Sequence, residues 1–155
     1  MATTPEQNKA LVRRMIEEGT NQDDPAVFDE LIAPDAVDHT ALAGQERGRE
    51  GVKRGHARFR AAFPDAVSTI DMMVAEGDLV AYHTTLRATD VGGFMGHPPT
   101  GLPFAGGGLT LVRVQGGQLV EHWSYLDTFG VLQRLGLVSA PLSGEVVEDD
   151  SATKP

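Results

Sequence analysis

Up to about residue 62 the apolar residues recur every three or four positions, and beyond residue 66 they fall in short runs closer to two-residue alternation. Leu11, Val12, Met15 and Ile16 make one helical face, opposite Lys9, Arg13, Arg14 and Glu17. Thr4 as cap, Pro5 at the first helical position and Gln7 closing a capping box predict where that helix starts, and Gly19 predicts where it stops. A second helix repeats the grammar. Asp24 caps it, Pro25 follows, Val27, Phe28, Leu31 and Ile32 point inward, and Ala33-Pro34 ends it. Residues 35–39 read as a short strand or turn that delivers His39. A third helix over about 48–62 sets Val52, His56, Phe59 and Phe63 at helical spacing, with His56 packing on its own helix, and Pro64 breaks it.

Strands follow. Residues 67–76 and 79–89 flank Gly77-Asp78, a two-residue hairpin turn. Residues 91–101 are a loop by composition, and 109–114 form the next strand, with Gly106, Gly107 and Gly108 before it as a weak or bent entry. Gly116-Gly117 turns the chain into a strand carrying Glu121, His122, Trp123 and Tyr125 and ending at Asp127. A short helix with Val131, Leu132 and Leu135 inward stops at Gly136. Three helices, a run of antiparallel strands and a last helix predict an α+β fold with helices on one side of a curved sheet. The domain is expected over residues 1–138, with an acidic, weakly structured tail over 139–155.

Composition narrows the function. At 155 residues the chain is one domain's worth, able to bury roughly 68–70% of its unfolded surface. The net charge of -9 argues against nucleic acid as the main partner, because phosphate binding needs a basic face. Six of the thirteen basic residues, Arg47, Arg49, Lys53, Arg54, Arg58 and Arg60, crowd the third helix, where a solvated face is the plain expectation. No apolar run is long enough for a membrane span, and the polar start lacks a signal-peptide core, so a cytoplasmic protein is expected. The absence of cysteine removes disulfides, thiol catalysis and Cys-ligated metals. No His-x-His or His-x3-His spacing occurs, and no metal is expected.

The sharpest chemical feature is Asp127 between Trp123, Tyr125 and Phe129. Burial against aromatics would raise its pKa toward values useful for proton transfer. An Asp just before a helix is also an ordinary N-cap, which would lower it. Both readings stand, and one carboxylate could do both jobs. His39 and His83 are the accessory candidates, able to bond a substrate carbonyl or orient Asp127. Strand parity groups Glu121, Trp123 and Tyr125 with Asp127, which makes Trp123 and Tyr125 pocket-wall candidates, and sends His122 and Ser124 to the other face, where His122 would serve a dimer surface. Arg113 is expected opposite Val120 on the His122 face, and becomes a substrate contact if a bulge shifts the register. His97 sits on the Pro-Pro loop and is expected to be solvated.

Gly96-His-Pro-Pro-Thr-Gly101, Leu111-Val-Arg113-Val-Gln-Gly-Gly117, Val120-Glu-His-Trp123, Asp127 and Leu132-Gln-Arg-Leu-Gly136, with Phe63-Pro64-Asp65 and Glu76-Gly77-Asp78, resemble the SnoaL-like polyketide cyclases over about residues 8–138. The resemblance implies a cystatin-like, nuclear-transport-factor-2-like cone: a curved sheet wrapped around the N-terminal helices, enclosing an apolar pocket and often dimeric through the sheet. It also implies cofactor-free, metal-free closure of a polyketide ester by intramolecular aldol chemistry, with Asp127 as acid/base group. A carboxylate can take a proton flanked by carbonyls, and an enclosed cavity holds the reacting carbons together. Two positions depart from the family: His83 where Arg is common, and Ala88-Thr89-Asp90 where Gly-Thr-His is common. The alternatives are a cofactor-free hydroxylase or other proton-transfer enzyme, or a module that only binds an apolar small molecule.

Overall fold

The computed structural model describes residues 3–41 and 46–139. The acidic tail expected from residue 139 therefore lies outside the described residues, apart from Ser139. In chain order the elements are α1 (Pro5–Arg14), a π-helical segment (Met15–Asn21), α2 (Pro25–Leu31), β1 (Ile32–Asp38), α3 (Gly48–Ala62), β2 (Val67–Glu76), β3 (Leu79–Thr89), β4 (Pro103–Gln115), β5 (Gln118–Leu126) and α4 (Thr128–Arg134). No described helix is long and apolar enough to cross a membrane.

The caps form as the residues dictate. The Thr4 hydroxyl accepts from Gln7 N and the Gln7 side chain accepts from Thr4 N, a reciprocal box; the Asp24 carboxylate accepts from Ala26 N. Gly19 does not stop the first helix, which widens into the π segment and runs on to Asn21. The glycine is needed for packing: a β-carbon there would come within 2.7 Å of the Phe28 ring. The second helix ends earlier than expected, at Leu31, because Ile32 already adopts extended geometry and opens β1. Pro34 is tolerated since β1 is an edge strand. β4 also starts earlier, at Pro103, so Gly106–Gly108 lie inside it. Gly106 lets α4 approach, as its β-carbon would meet Val131 Cγ2 at 2.5 Å.

The sheet order is β1-β5-β4-β3-β2, an antiparallel meander from β2 to β5 with β1 added parallel to β5. The register breaks between Ile70 and Met72 in β2, and between Arg113 and Val114 where β4 meets β5. Such bulges bend and twist a sheet. The second leaves Val120 as an extra residue, so that Val114 pairs with Leu119 and Arg113 with Glu121.

Cross-strand rows define the two faces. Val80, Val112, His122 and Asp38 form one row on the concave face, with Tyr82, Thr110 and Ser124 forming the next. Here the sheet meets Val12, Met15, Val27, Phe28 and Leu31 of the helical layer in the main core. A second cluster of Phe63, Leu86, Phe94, Phe104, Val131 and Leu135 closes the other end under α4. The outer face carries the row Met72, His83, Leu109, Tyr125 and the row Val74, Ala81, Leu111, Trp123. The basic residues of α3 are largely committed within the fold. Arg49 donates to Ile32 O, Lys53 pairs with Asp29, Arg54 with Glu46, and Arg60 donates to Ala66 O.

Candidate active site

Between the helices and the concave face lies a cavity of about 280 Å³. Its apolar wall comes from Met15, Ile16, Phe28, Ile32, Val52 and Leu119; its polar groups are Thr20, Asp38, His56, Tyr82 and His122. The π segment supplies Met15, Ile16 and Thr20, and extra width in a helical turn is a feature that recurs where side chains must be aimed at a site.

His122 reaches this cavity because of the bulge. Leu119 faces inward, Val120 absorbs an extra residue, and His122 comes round to the concave face directly beside Asp38 on β1. His122 Nδ1 lies 3.3 Å from Asp38 Oδ1. That carboxylate oxygen also accepts from Thr40 N and Thr40 Oγ1, both at 2.9 Å. Burial pushes the Asp38 carboxyl up, but the Thr40 hydrogen bonds and the His122 imidazole together outweigh it and hold the group below the usual carboxylate range. An ionised Asp38 at Nδ1 leaves Nε2 of His122 as the nitrogen available to a ligand. The geometry is that of an imidazole base held by a carboxylate.

The polar wall continues as a hydrogen-bonded chain. The Thr40 hydroxyl accepts from Ser124 N at 3.0 Å, the Ser124 and Thr110 hydroxyls meet at 3.1 Å, and Thr110 bonds the Tyr82 phenol. Burial pushes the Tyr82 hydroxyl up to about 12, so it keeps its proton throughout the ordinary pH range. On the helical side, His56 Nε2 lies 2.8 Å from Asp23 Oδ1, and its ring meets Phe28 edge-on at 5.1 Å.

The residues singled out from the sequence fall elsewhere. Asp127 does not line the cavity. It is half-exposed, caps α4 by accepting from Gly130 N at 3.0 Å, and lies 3.4 Å from Arg134 Nη1. His39 stacks flat on Trp123 at 4.3 Å and bonds Glu121 at 2.9 Å; Arg113 grips Glu121 and Asp78. The bulge does move Arg113, but onto the Glu121 face, which is the outer one. His83 bonds Asp71 on that face too, with Thr85 donating to the same oxygen, and Tyr125 is exposed there. Parity separated Glu121, Trp123 and Tyr125 from His122 and Ser124 as the pairing does, but put Arg113 on the wrong face because it did not include the bulge. What it could not supply was which group faces the helices, and the buried Val80 and Val112 in the row of His122, with Tyr82 and Thr110 in the row of Ser124, decide that. His122 belongs to the cavity, not to an outer surface, and His56 lines it as well. Asp38 was not singled out; a carboxylate one strand away from His122 leaves no mark in sequence spacing. Asp90, at one family departure, is fully buried and ties the loop by accepting from Gly93 N, Thr100 N and Thr100 Oγ1. Among the described residues no group of three or more His, Asp or Glu side chains is placed to hold a metal ion.

Comparison with known proteins agrees with this architecture. The SnoaL-like polyketide cyclase model matches residues 10–135. Aklanonic acid methyl ester cyclase DauD of Streptomyces sp. (strain C5) is 30% identical over 131 residues, covering 81% of this chain and 80% of that protein. IdmH of Streptomyces antibioticus, named as a candidate polyketide cyclase, superposes with a TM-score of 0.76 at 38% identity, over 84% of this chain and 99% of its own. AclR of Streptomyces galilaeus, named as a candidate hydroxylase, does so at 0.76 and 28% identity, over 88% and 89%. The chain belongs to the SnoaL-like polyketide cyclase family.

Proposed function

We propose that this chain closes a ring in a small ester-bearing carbonyl compound by intramolecular aldol addition, with His122 and Asp38 as its proton-taking pair. The observation that carries this is the His122–Asp38 contact on the wall of a mostly apolar cavity. His122 Nε2 takes a proton from the carbon flanked by two carbonyls, and Asp38 stabilises the imidazolium that forms. The enolate carbon then attacks the far carbonyl carbon, which the apolar wall holds within reach. The names of the cyclase relatives favour ring closure as the outcome. Asp127 carries the resemblance to the family but supports α4 here, so we assign it to the scaffold.

The test uses methyl 3,7-dioxooctanoate, whose doubly activated methylene can close onto the far ketone as a six-membered ring. The wild type is expected to accelerate closure, and His122→Gln to lose at least about 100-fold. Equal rates for the two proteins would remove His122 from the chemistry. A second reading, hydroxylation, is favoured by the likeness to AclR; oxygen uptake in step with turnover would select it over ring closure.

We also propose a homodimer formed through the outer face of the sheet. Met72, Val74, Leu109 and Tyr125 lie there in two adjacent rows and are 55–69% exposed, apolar side chains on either side of β3 on an antiparallel sheet. His83, paired with Asp71, sits within this strip between Met72 and Leu109, and the Arg113–Glu121–His39 cluster lies beside it. A second copy of the chain would cover this strip isologously.

A further inference from the structure

The cavity holds a second carboxylate-backed imidazole that base chemistry at His122 leaves unused. His56 projects from α3 into the cavity wall opposite the sheet, with its side chain only 10% exposed, and Asp23 Oδ1 holds its Nε2 at 2.8 Å. Asp23 is one of two described non-glycine residues with positive φ, at +57°. For an L residue that conformation costs free energy, and such strain persists only where its surroundings impose it. Asp24, the next residue, caps α2, and the π segment ends two residues earlier, at Asn21. The left-handed turn between them presents the Asp23 carboxylate to His56. A glycine would suit that backbone better, but it could not supply the carboxylate.

We infer that His56, backed by Asp23, is the acid of this site and protonates the oxygen on which negative charge develops as the ring closes. The inference rests on the reading of His122 as the base. Ring closure needs both roles at once. The proton leaves the activated carbon for His122 Nε2, the new carbon–carbon bond forms, and the attacked carbonyl oxygen becomes an alkoxide. His56 in its imidazolium form holds Asp23 through Nε2–H and has Nδ1–H left to give. Transfer of that proton yields the neutral hydroxyl product and a neutral imidazole, still bonded to Asp23. One proton is taken and one given, so solvent exchange between the two imidazoles resets the site. The two pairs belong to different layers of the fold, His122–Asp38 to the sheet and His56–Asp23 to the helices, and both imidazoles line the same cavity. A substrate spanning the cavity would therefore present its activated carbon to one layer and its acceptor carbonyl to the other.

Two rates on methyl 3,7-dioxooctanoate separate the roles: enzymic exchange of the activated methylene into deuterium oxide above the buffer rate, and ring closure. His56→Gln is expected to keep exchange within about 2-fold of wild type and lose closure by about 100-fold. His122→Gln is expected to lose both. Asp23→Gly removes the carboxylate while relieving the positive φ, so closure should fall while the melting temperature holds or rises, which a purely structural role would not produce. Closure at the wild-type rate in His56→Gln would overturn the inference and leave the reading of His122 intact. Exchange and closure falling by the same factor in that variant would also overturn it, reducing His56 to a shaper of the cavity. Wild-type exchange and closure in His122→Gln would instead sink the reading on which it rests.

Discussion

His122 and Asp38 are direct neighbours across parallel strands β5 and β1, and their side chains meet at 3.3 Å on the concave face of the sheet. Eighty-odd residues of chain separate them, and the contact exists only because β1 returns to the sheet edge after two helices. The backbone supports the pair on both sides, since His39 N donates to His122 O and Thr40 N to the Asp38 carboxylate. Such double anchoring limits how far either side chain can move, and that restraint is what a base waiting for a substrate needs.

Asp38→Asn should retain the cavity and lose the charge that holds the imidazole. In related pairs the amide favours the wrong tautomer, so kcat is expected to fall about 100-fold or more with KM little changed. Stability should respond to pH as well. The folded-state value of Asp38 lies below the unfolded one of about 3.9. Its contribution is therefore complete above that pH and disappears as acidity passes through the lowered folded value. Melting curves of wild type and Asp38→Asn should differ at neutral pH and converge in acid. A gap that persisted undiminished at low pH would show that the Asp38 charge is not what stabilises the fold.

Asp127 can be tested by a pair of substitutions. Asparagine caps a helix about as well as aspartate, whereas alanine does not. Asp127→Asn should leave both melting temperature and turnover close to wild type. Asp127→Ala should lose about 1 kcal/mol, or about 2–4 °C in melting temperature for a domain of this size. If Asp127→Asn lost turnover at an unchanged melting temperature, the carboxylate would be acting chemically and not as a cap.

The fold was largely legible in the sequence because its signals are local. Thr4-Pro5-Glu6-Gln7, Asp24-Pro25 and Gly116-Gly117 act through neighbours a few residues away, and all three mark element boundaries where expected. The site was not legible for the opposite reason. Glu121, Trp123 and Tyr125 were sorted correctly from His122 and Ser124 by alternation alone. Which set looks inward depends on the helices that pack against Val112 and Leu119, and on one extra residue at Val120. Aromatic enrichment around Asp127 suggested burial, but Tyr125 and Phe129 are exposed. The glycines misled in a similar way. Gly19 and Gly106 are small because of Phe28 and Val131, contacts made with other elements, while Gly136 at φ +69° does end α4 with Leu137 N donating to Leu132 O.

The outer face makes the last prediction. Met72, His83, Leu109 and Tyr125 form one row from β2 to β5, so a charge at the centre of the row should repel its own copy across a two-fold axis. Leu109→Lys is exposed enough to leave the monomer fold intact, because its side chain opposes His83 and Tyr125 on the surface and touches none of the core clusters. Sedimentation should give a dimer mass for the wild type at micromolar concentration and a monomer mass for the variant, with circular dichroism unchanged. A second charge, Val74→Glu in the neighbouring row, should weaken the dimer independently, whereas a charge on the helical side such as Arg58→Glu should not. A wild type that sediments as a monomer at every concentration would refute the proposed interface. None of Met72, Val74, Leu109 and Tyr125 lines the cavity, so the Leu109→Lys monomer is expected to retain ring closure, and activity in it would separate the chemistry of His122 from the assembly of the sheet.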